Sequence, residues 1–419
     1  MKIRPLRWWI AGLLAIATAL SYLDRSSFPL VVSEVRKDIA ISDTDYGTLT
    51  SLFLIAYGLM YGGGGWILDR LGTRWGYFVM ITWWSAANFF TGYVTSLAGL
   101  KLFRFLLGMG EGGGFPGSGK AVSEWFPPRE RSFAFGLFNT GSSLGAIVAA
   151  PALAWIAHQQ GWRWVFFLSG AAGFAWAAGW LYFYQTPDQS RHITVEERDL
   201  IRDSLPPKSA SGERIPWISL FRYRQVWGLM LAKLFTDSVW YFLLFWLPKY
   251  LGDVRHFNIK QIGAYAWIPF VFAGAGSFLG GGLGSLLIRR GTSLDRARKI
   301  ALGSAAALMP ATLLIEWTPV SLAIVFYSLA MFGHQFWSAN VQTLAADLFP
   351  SRVVGSVEGL LGSAGALGAA AIGFAFGEII AVRGYSIPFL VCGGLHLASF
   401  LILLKLVGRI EPVPLETGR

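Results

Sequence analysis

Apolar runs of about twenty residues, separated by short polar breaks, recur from one end of this chain to the other. A bilayer core about 30 Å thick is crossed by a helix of about that length. At that depth no water satisfies backbone N–H and C=O groups, so a chain of such runs folds as packed spanning helices. Composition agrees: of 419 residues, 54% are hydrophobic and 14% charged, against about a quarter charged in a soluble chain. The runs predict twelve helices, near 8–30, 46–68, 75–95, 98–119, 132–157, 162–185, 225–250, 261–288, 299–316, 320–346, 353–382 and 386–407. The expected fold class is an all-α membrane protein.

An even number of spans returns both termini to one side. Of the 35 Lys and Arg, about 23 fall on the terminal side, about 8 opposite and about 4 inside helices. Basic residues stay on the cytoplasmic face, so both termini are expected in the cytoplasm and the chain in the inner membrane. The main contributors are Lys2, Arg4 and Arg7, the stretch from Arg191 to Arg224, and Arg289, Arg290, Arg296, Arg298 and Lys299. The net charge of +11 therefore reads as topology and not as a nucleic-acid surface. The first run has the basic start and small residues, Ala17 and Ala19, of a signal peptide. It continues through Tyr22, Asp24 and Arg25, so a retained helix is expected. A lone Cys392 leaves no disulfide or thiolate metal site, and no cofactor or metal is expected.

The longest polar interval, 186–224, holds Pro187, Pro206, Pro207 and Pro216 and divides the spans six and six. Residues 1–185 and 225–419 then form two six-helix bundles joined by a cytoplasmic linker, the layout of a pseudo-symmetric carrier. A faint echo accompanies it: Gly62 to Gly65 precede Asp69-Arg70 after span two, and Gly280 to Gly282 precede Arg289-Arg290 after span eight. In the linker, Glu196, Glu197, Arg198 and Asp199 read as an amphipathic surface helix whose charges are solvated.

The stretch Gly65-Trp-Ile-Leu-Asp69-Arg70-Leu-Gly72-Thr-Arg74 resembles the signature between spans two and three of the major facilitator superfamily. Arg104-Phe-Leu-Leu-Gly108-Met-Gly110-Glu111 resembles the span-four motif of its anion:cation symporter branch, which includes hexuronate, aldarate and galactonate carriers. Tyr22-Leu-Asp24-Arg25, Ser123-Glu124-Trp125-Phe126-Pro127 and Asn139-Thr-Gly-Ser142-Ser143 match further, as do Trp240 to Tyr250 and Ala266-Trp267-Ile268-Pro269. The resemblance covers essentially the whole chain. It implies that Asp69, Arg70 and Arg74 latch a gate, beside the plainer reading of interfacial charge. In the second half Ile288 stands where the first has Asp69, so that acid's contact is not expected there.

A charge at bilayer depth costs about 2.5–3.5 kcal/mol on insertion scales and needs a partner, a wet cavity or a task. Asp24, Arg25, Arg104, Glu111, Lys233 and Asp237 lie inside spans, with Lys120 near an end. Arg104 and Glu111 are seven apart, on one helix face about 10 Å apart in rise. Tyr22 and Arg25 stack at a spacing of three on span one. The plain alternative is that Asp24 with Arg104, or Arg25 with Glu111, are ion pairs that only orient helices. The functional expectation is that these groups line one water-accessible pocket. A guanidinium grips a carboxylate bidentately, so Arg25 is assigned to the carboxylate of an organic anion. Asp24 and Glu111 are assigned to protons, with Arg104 as their counter-charge, as the resemblance also implies. Lys233 and Asp237, one turn apart, read equally as an internal pair or a site.

A site for a polyhydroxylated acid mixes polar groups with aromatic faces. Candidates are Tyr22, Tyr57 and Asn139 in the first half, the four-spaced stripe His334, Ser338 and Gln342, and Trp240, Tyr241 and Ser363 opposite. His334 by itself reads as a packing residue. The glycines of Glu111-Gly-Gly-Gly-Phe-Pro116-Gly-Ser-Gly sit inside a span and permit close packing or bending; they lack the setting of a phosphate loop. Five scattered His and one Cys offer no membrane-embedded catalytic cluster, so no enzyme is expected. The resulting expectation is a monomeric carrier that imports a hexuronate or aldonate with protons. Its alternatives are an organic-anion or phosphate-ester exchanger and a sodium-coupled carboxylate symporter.

Overall fold

A computed structural model describes residues 5–204 and 217–414. Lys2, Arg4, Pro206, Pro207 and Pro216 lie outside them. The described residues form α1 (Leu6–Val35), α2 (Asp43–Thr91), α3 (Leu97–Glu111), α4 (Gly114–Trp125), α5 (Pro128–Gln160), α6 (Trp162–Phe183) and α7 (Val195–Ser204). They continue with α8 (Arg224–Asp253), α9 (Ile259–Tyr265), α10 (Ile268–Arg289), α11 (Leu294–Leu308), α12 (Val320–Leu348), α13 (Ser351–Arg383) and α14 (Ser386–Leu406).

Nine elements among the described residues are long and apolar enough to cross a bilayer by themselves. The twelve expected spans differ from these in three places. Spans two and three run together as α2, which turns at Gly72 with φ 73° and ψ 162°, a backbone setting open to glycine and strained for other residues. Span four is broken at Gly112 and Gly113 into α3 and α4. Span nine is α11 continued by a 3-10 turn, Met309–Leu314, that begins beside Pro310. Span eight is also interrupted, at Ala266 and Trp267 between α9 and α10.

The chain clusters into two compact units, the described residues of Met1–Ile39 with Leu59–Arg214, and of Ala40–Gly58 with Ile215–Arg419. The start of α2 thus packs in the second unit. Tyr46 Oη donates to the Phe245 carbonyl at 2.5 Å, Ser51 Oγ to that of Ala370 at 2.8 Å and Ser363 Oγ to that of Gly58 at 3.0 Å.

In the first unit α1 and α5 cross at backbone contact. A Cβ on Gly141 would meet the Ala15 carbonyl oxygen at 2.1 Å, and one on Gly145 that of Ala19 at 2.2 Å. Without a water-driven hydrophobic force between helices, such small-residue contacts carry the packing. The second unit repeats the arrangement with α13 on α8, where a Cβ on Gly368 would meet Leu234 Cγ at 2.4 Å.

The linker helix α7 corrects one expectation. Glu196 and Asp199 are exposed, but Glu197 is buried. Its carboxylate accepts from the Leu6 and Arg7 backbone N–H groups at 2.8 and 3.1 Å and from Arg7 Nη1 at 2.9 Å. The free N–H groups and positive dipole end at the start of α1 attract a carboxylate, and that outweighs solvation of Glu197.

Candidate functional site

Span one supplies Ser21, Tyr22, Asp24 and Arg25 from one turn of α1, and Glu111 is the last residue of α3 before the break at Gly112. Arg25 Nη2 lies 2.7 Å from Glu111 Oε2 and Arg25 Nε 3.0 Å from the same oxygen. Ser21 Oγ donates to that oxygen at 3.0 Å. The Arg25 guanidinium also stands over the Tyr22 ring, 4.7 Å from its centre. The pair side chains are 1% and 0% exposed. The second Glu111 oxygen, Oε1, is buried with no hydrogen-bond partner among the described residues.

Asp24 faces a different side of α1. Asn88 Nδ2 donates to its Oδ1 at 2.7 Å and reaches Ser169 Oγ at 2.6 Å. Asp24 Oδ2 is buried and likewise lacks a hydrogen-bond partner among the described residues. Adjacent residues on a helix point about 100° apart, and Asp24 and Arg25 accordingly take different partners. Arg104 is buried beside the Phe28 ring, 5.3 Å to its centre, within electrostatic reach of both acids. All four ionisable groups are closed from solvent here. Asn88, Ser169 and Ser21 were not among the expected residues; the signal for Asn88 was an amide inside the apolar run Trp83 to Phe90.

The break after Glu111 has a packing cause. A Cβ on Gly110 would meet Trp84 at 2.6 Å and one on Gly113 Met80 at 2.1 Å. The glycines serve close helix contact and a bend together.

The remaining candidates divide between the units. Asn139, half-buried on α5, lies in the first, and its carbonyl accepts from Ser142 Oγ at 2.7 Å. Tyr57 packs in the second, stacked on Phe53 at 5.8 Å. Also in the second, the Trp240 ring stacks on His334 at 5.1 Å, and His334 Nδ1 is 3.2 Å from His396 Nε2. Tyr241 packs on Phe245 at 5.7 Å. The stripe splits: His334 and Ser338 are buried, whereas Gln342 is exposed. Ser363 is held by its bond to Gly58. Lys233 and Asp237 form an ion pair of 2.8 Å.

The gating candidates make contacts inside the first unit. Asp69 pairs with Lys120 Nζ at 2.6 Å, the Arg70 guanidinium lies 4.0 Å over the Trp66 ring, and Arg74 Nη2 donates to the Leu181 carbonyl at 2.6 Å. Beside them Glu124 accepts from Thr73 Oγ1 at 2.6 Å and from Tyr184 Oη at 2.7 Å.

Long apolar helices with Arg and carboxyl groups paired inside them, together with the family match that follows, define a multi-pass membrane transporter and not an enzyme. The chain belongs to the Major Facilitator Superfamily, whose pattern it matches over residues 14–371. It is 33% identical over 406 residues to the hexuronate transporter of Escherichia coli K12, covering 96% of this chain and 94% of that one. Over 323 residues it is 32% identical to the galacturonate transporter of Dickeya chrysanthemi, covering 76% and 94%. Over 418 residues it is 29% identical to the D-galactonate transporter of Escherichia coli O6:H1, covering 97% of each. The fold is similar to the xylose transporter XylE from E. coli, with TM-score 0.75, 13% identity and coverage of 98% and 99%. It is also similar to a bacterial homologue of the human lysosomal transporter Spinster, with TM-score 0.72, 21% identity and coverage of 97% and 95%.

Proposed function

We propose that this protein imports a carboxylated sugar, a hexuronate or aldonate, together with protons across the inner membrane. It works as a monomer with both termini in the cytoplasm. Residues 1–185 and 225–419 act as the two halves of an alternating-access cycle, joined by the linker 186–224. The observation that carries this reading is the Arg25–Glu111 pair, whose Glu111 Oε1 is buried and lacks a hydrogen bond among the described residues. Arg25 serves as the carboxylate anchor. When the substrate carboxylate takes Arg25, Glu111 loses its cation in a low-dielectric site, and a proton neutralises it. Substrate and proton then favour each other's binding, which is the thermodynamic requirement for symport. Asp24, whose Oδ2 likewise lacks a hydrogen bond among the described residues, carries protons with Arg104 as counter-charge.

The sealed pair requires a second state in which Arg25 and Glu111 separate and water reaches them. Tyr22, Tyr57, Asn139, Trp240, Tyr241, His334, Ser338, Gln342 and Ser363 supply polar and aromatic surface for the sugar. Asp69, Arg70 and Arg74 exchange partners as the gate moves. The relatives named for hexuronate, galacturonate and galactonate transport support the substrate class.

Counterflow in proteoliposomes tests the reading. Across a panel of uronates, aldonates, aldarates, dicarboxylates and aromatic acids, counterflow is expected for uronates or aldonates, and net uptake of these into unloaded vesicles is expected to accumulate them only with a pH gradient. Accumulation driven by sodium, or by phosphate esters in exchange, would overturn it.

A further inference from the structure

The charges inside the spans of the two units do not balance alike. In the first, Asp24 and Glu111 are matched by Arg25 and Arg104, one cation for each acid. In the second, Lys233 Nζ lies 2.8 Å from Asp237 Oδ2 one turn along α8, with side chains 11% and 13% exposed. A third group faces this pair. A Cβ on Gly365 of α13 would meet Asp237 Oδ2 at 2.2 Å, so α13 meets α8 at Asp237. Glu358, seven residues before Gly365, shares that face. Its carboxyl interacts electrostatically with both Lys233 and Asp237. It makes no hydrogen bond or ion pair with any described residue.

Other charged and titratable groups on the elements packed against α13 are engaged elsewhere. Lys249 on α8 is held by Asp43 and Asp253, and Asp347 on α12 by Arg298. His334 on α12 and His396 on α14 hydrogen-bond each other. Arg222, Arg224 and Lys405 stand at helix ends. Lys233 and Asp237 are the groups that act on Glu358.

One ammonium cannot neutralise two carboxylates, and an unmatched charge at a half-buried position inside a span is expensive. We propose that Glu358 is a proton-binding site of the transport cycle, its carboxyl protonated while Lys233 is committed to Asp237. An alkali cation fits poorly, because it needs a shell of oxygens and the ammonium repels it. This inference rests on the proton-coupled reading above and extends it. Glu111, with Asp24 on the same path, takes one proton when substrate displaces it from Arg25, and Glu358 brings a second. Two protons with one monovalent anion move one positive charge inward, so uptake becomes voltage-driven.

The test has two arms. Purified full-length protein in detergent, without substrate, is stepped from mildly alkaline to mildly acidic pH in sodium-free buffer with an indicator dye. Wild type is expected to take up one proton per chain more than Glu358→Gln, Glu358→Asp to restore it, and Lys233→Gln to take up one more than wild type. A monodisperse elution profile checks folding of each variant. In proteoliposomes with D-glucuronate as probe, wild-type uptake is expected to accelerate under an inside-negative potential, and Glu358→Gln uptake to lose that response while keeping its dependence on pH. Equal dye signals from wild type and Glu358→Gln, or sodium replacing the proton uptake, would overturn the proposal. A normal dye difference with uptake indifferent to the pH gradient keeps the site and defeats the coupling reading instead.

Discussion

Arg25 and Glu111, 86 residues apart in sequence, meet through two guanidinium nitrogens on one carboxylate oxygen, at 2.7 and 3.0 Å, with no solvent access. Removing one partner of such a pair costs about 3–5 kcal/mol, because the other charge stays buried, whereas replacing both by apolar residues is often neutral or better. Glu111→Leu and Arg25→Met are therefore expected each to lower the melting temperature of the purified protein, and the double variant to recover most of the loss. Additive losses in the double variant would show that the two groups are stabilised independently.

The same pair makes a prediction about binding. Lys keeps the charge of Arg25 but lacks the planar fork. Losing one charge-assisted hydrogen bond costs about 1.5–3 kcal/mol, so Arg25→Lys is expected to weaken hexuronate binding roughly tenfold to a hundredfold. Isothermal titration of the purified variant with glucuronate checks this, and an unchanged Kd would remove Arg25 as the anchor.

Helix crossing at Gly145 gives a stability prediction. The Ala19 carbonyl oxygen stands 2.2 Å from where a Cβ would be, and both atoms belong to rigid helices. Gly145→Val is expected to destabilise by at least the 1–3 kcal/mol typical of overpacking, read as a lower melting temperature. Gly136→Ala, with open space at its Cβ, is the control expected to change little.

Much of this fold was legible because lipid leaves the backbone so little choice: hydropathy alone located twelve crossings. The departures come where local geometry overrides hydropathy, as at Gly72, whose turn joins two spans into one element, and at Gly112 and Gly113, where Trp84 and Met80 shape the break. The Arg25–Glu111 pairing was one of two readings open to the sequence. The direction of Asp24 was not legible, because Asn88 and Ser169 come from elsewhere in the chain and spacing on α1 says nothing about them. Glu197 was misread for the same reason: its partners are 190 residues away. Glu358 was visible as an acid in an apolar run but had no periodic companion to mark it.

Asp38 offers a pH test outside the spans, in the connection between α1 and α2. The hydrogen bond from Arg163 Nη1 at 2.5 Å, helped by one from Trp162 Nε1 at 2.9 Å, holds its carboxyl below the usual aspartate range. A depressed folded value means the contribution is present at neutral pH and is lost as pH falls through that value. Melting temperatures of wild type and Asp38→Asn are expected to differ near neutrality, by the small amount typical of exposed pairs, and to converge in acid. A difference that grows on acidification would reverse the sign and refute the assignment.

Lys249 is the most enclosed cation among the described residues of the second unit. Its ammonium is 0% exposed, 2.6 Å from Asp43 Oδ1 and bonded to Asp253, with the rings of Tyr46, Trp246 and Tyr385 at 5.7, 5.5 and 5.8 Å. Lys249→Met would remove the cation that these two carboxylates share. Those carboxylates are 27% and 31% exposed, so water takes up part of the loss and about 1–3 kcal/mol is expected where a fully buried pair would lose more. Asp43→Asn or Asp253→Asn alone leaves Lys249 one acid and is expected to cost less than Lys249→Met. Adding Asp43→Asn to Lys249→Met removes the repulsion between the acids and is expected to raise the melting temperature again. If the double variant melts below Lys249→Met, the cluster is held by the aromatic rings around the ammonium and not by the balance of charge.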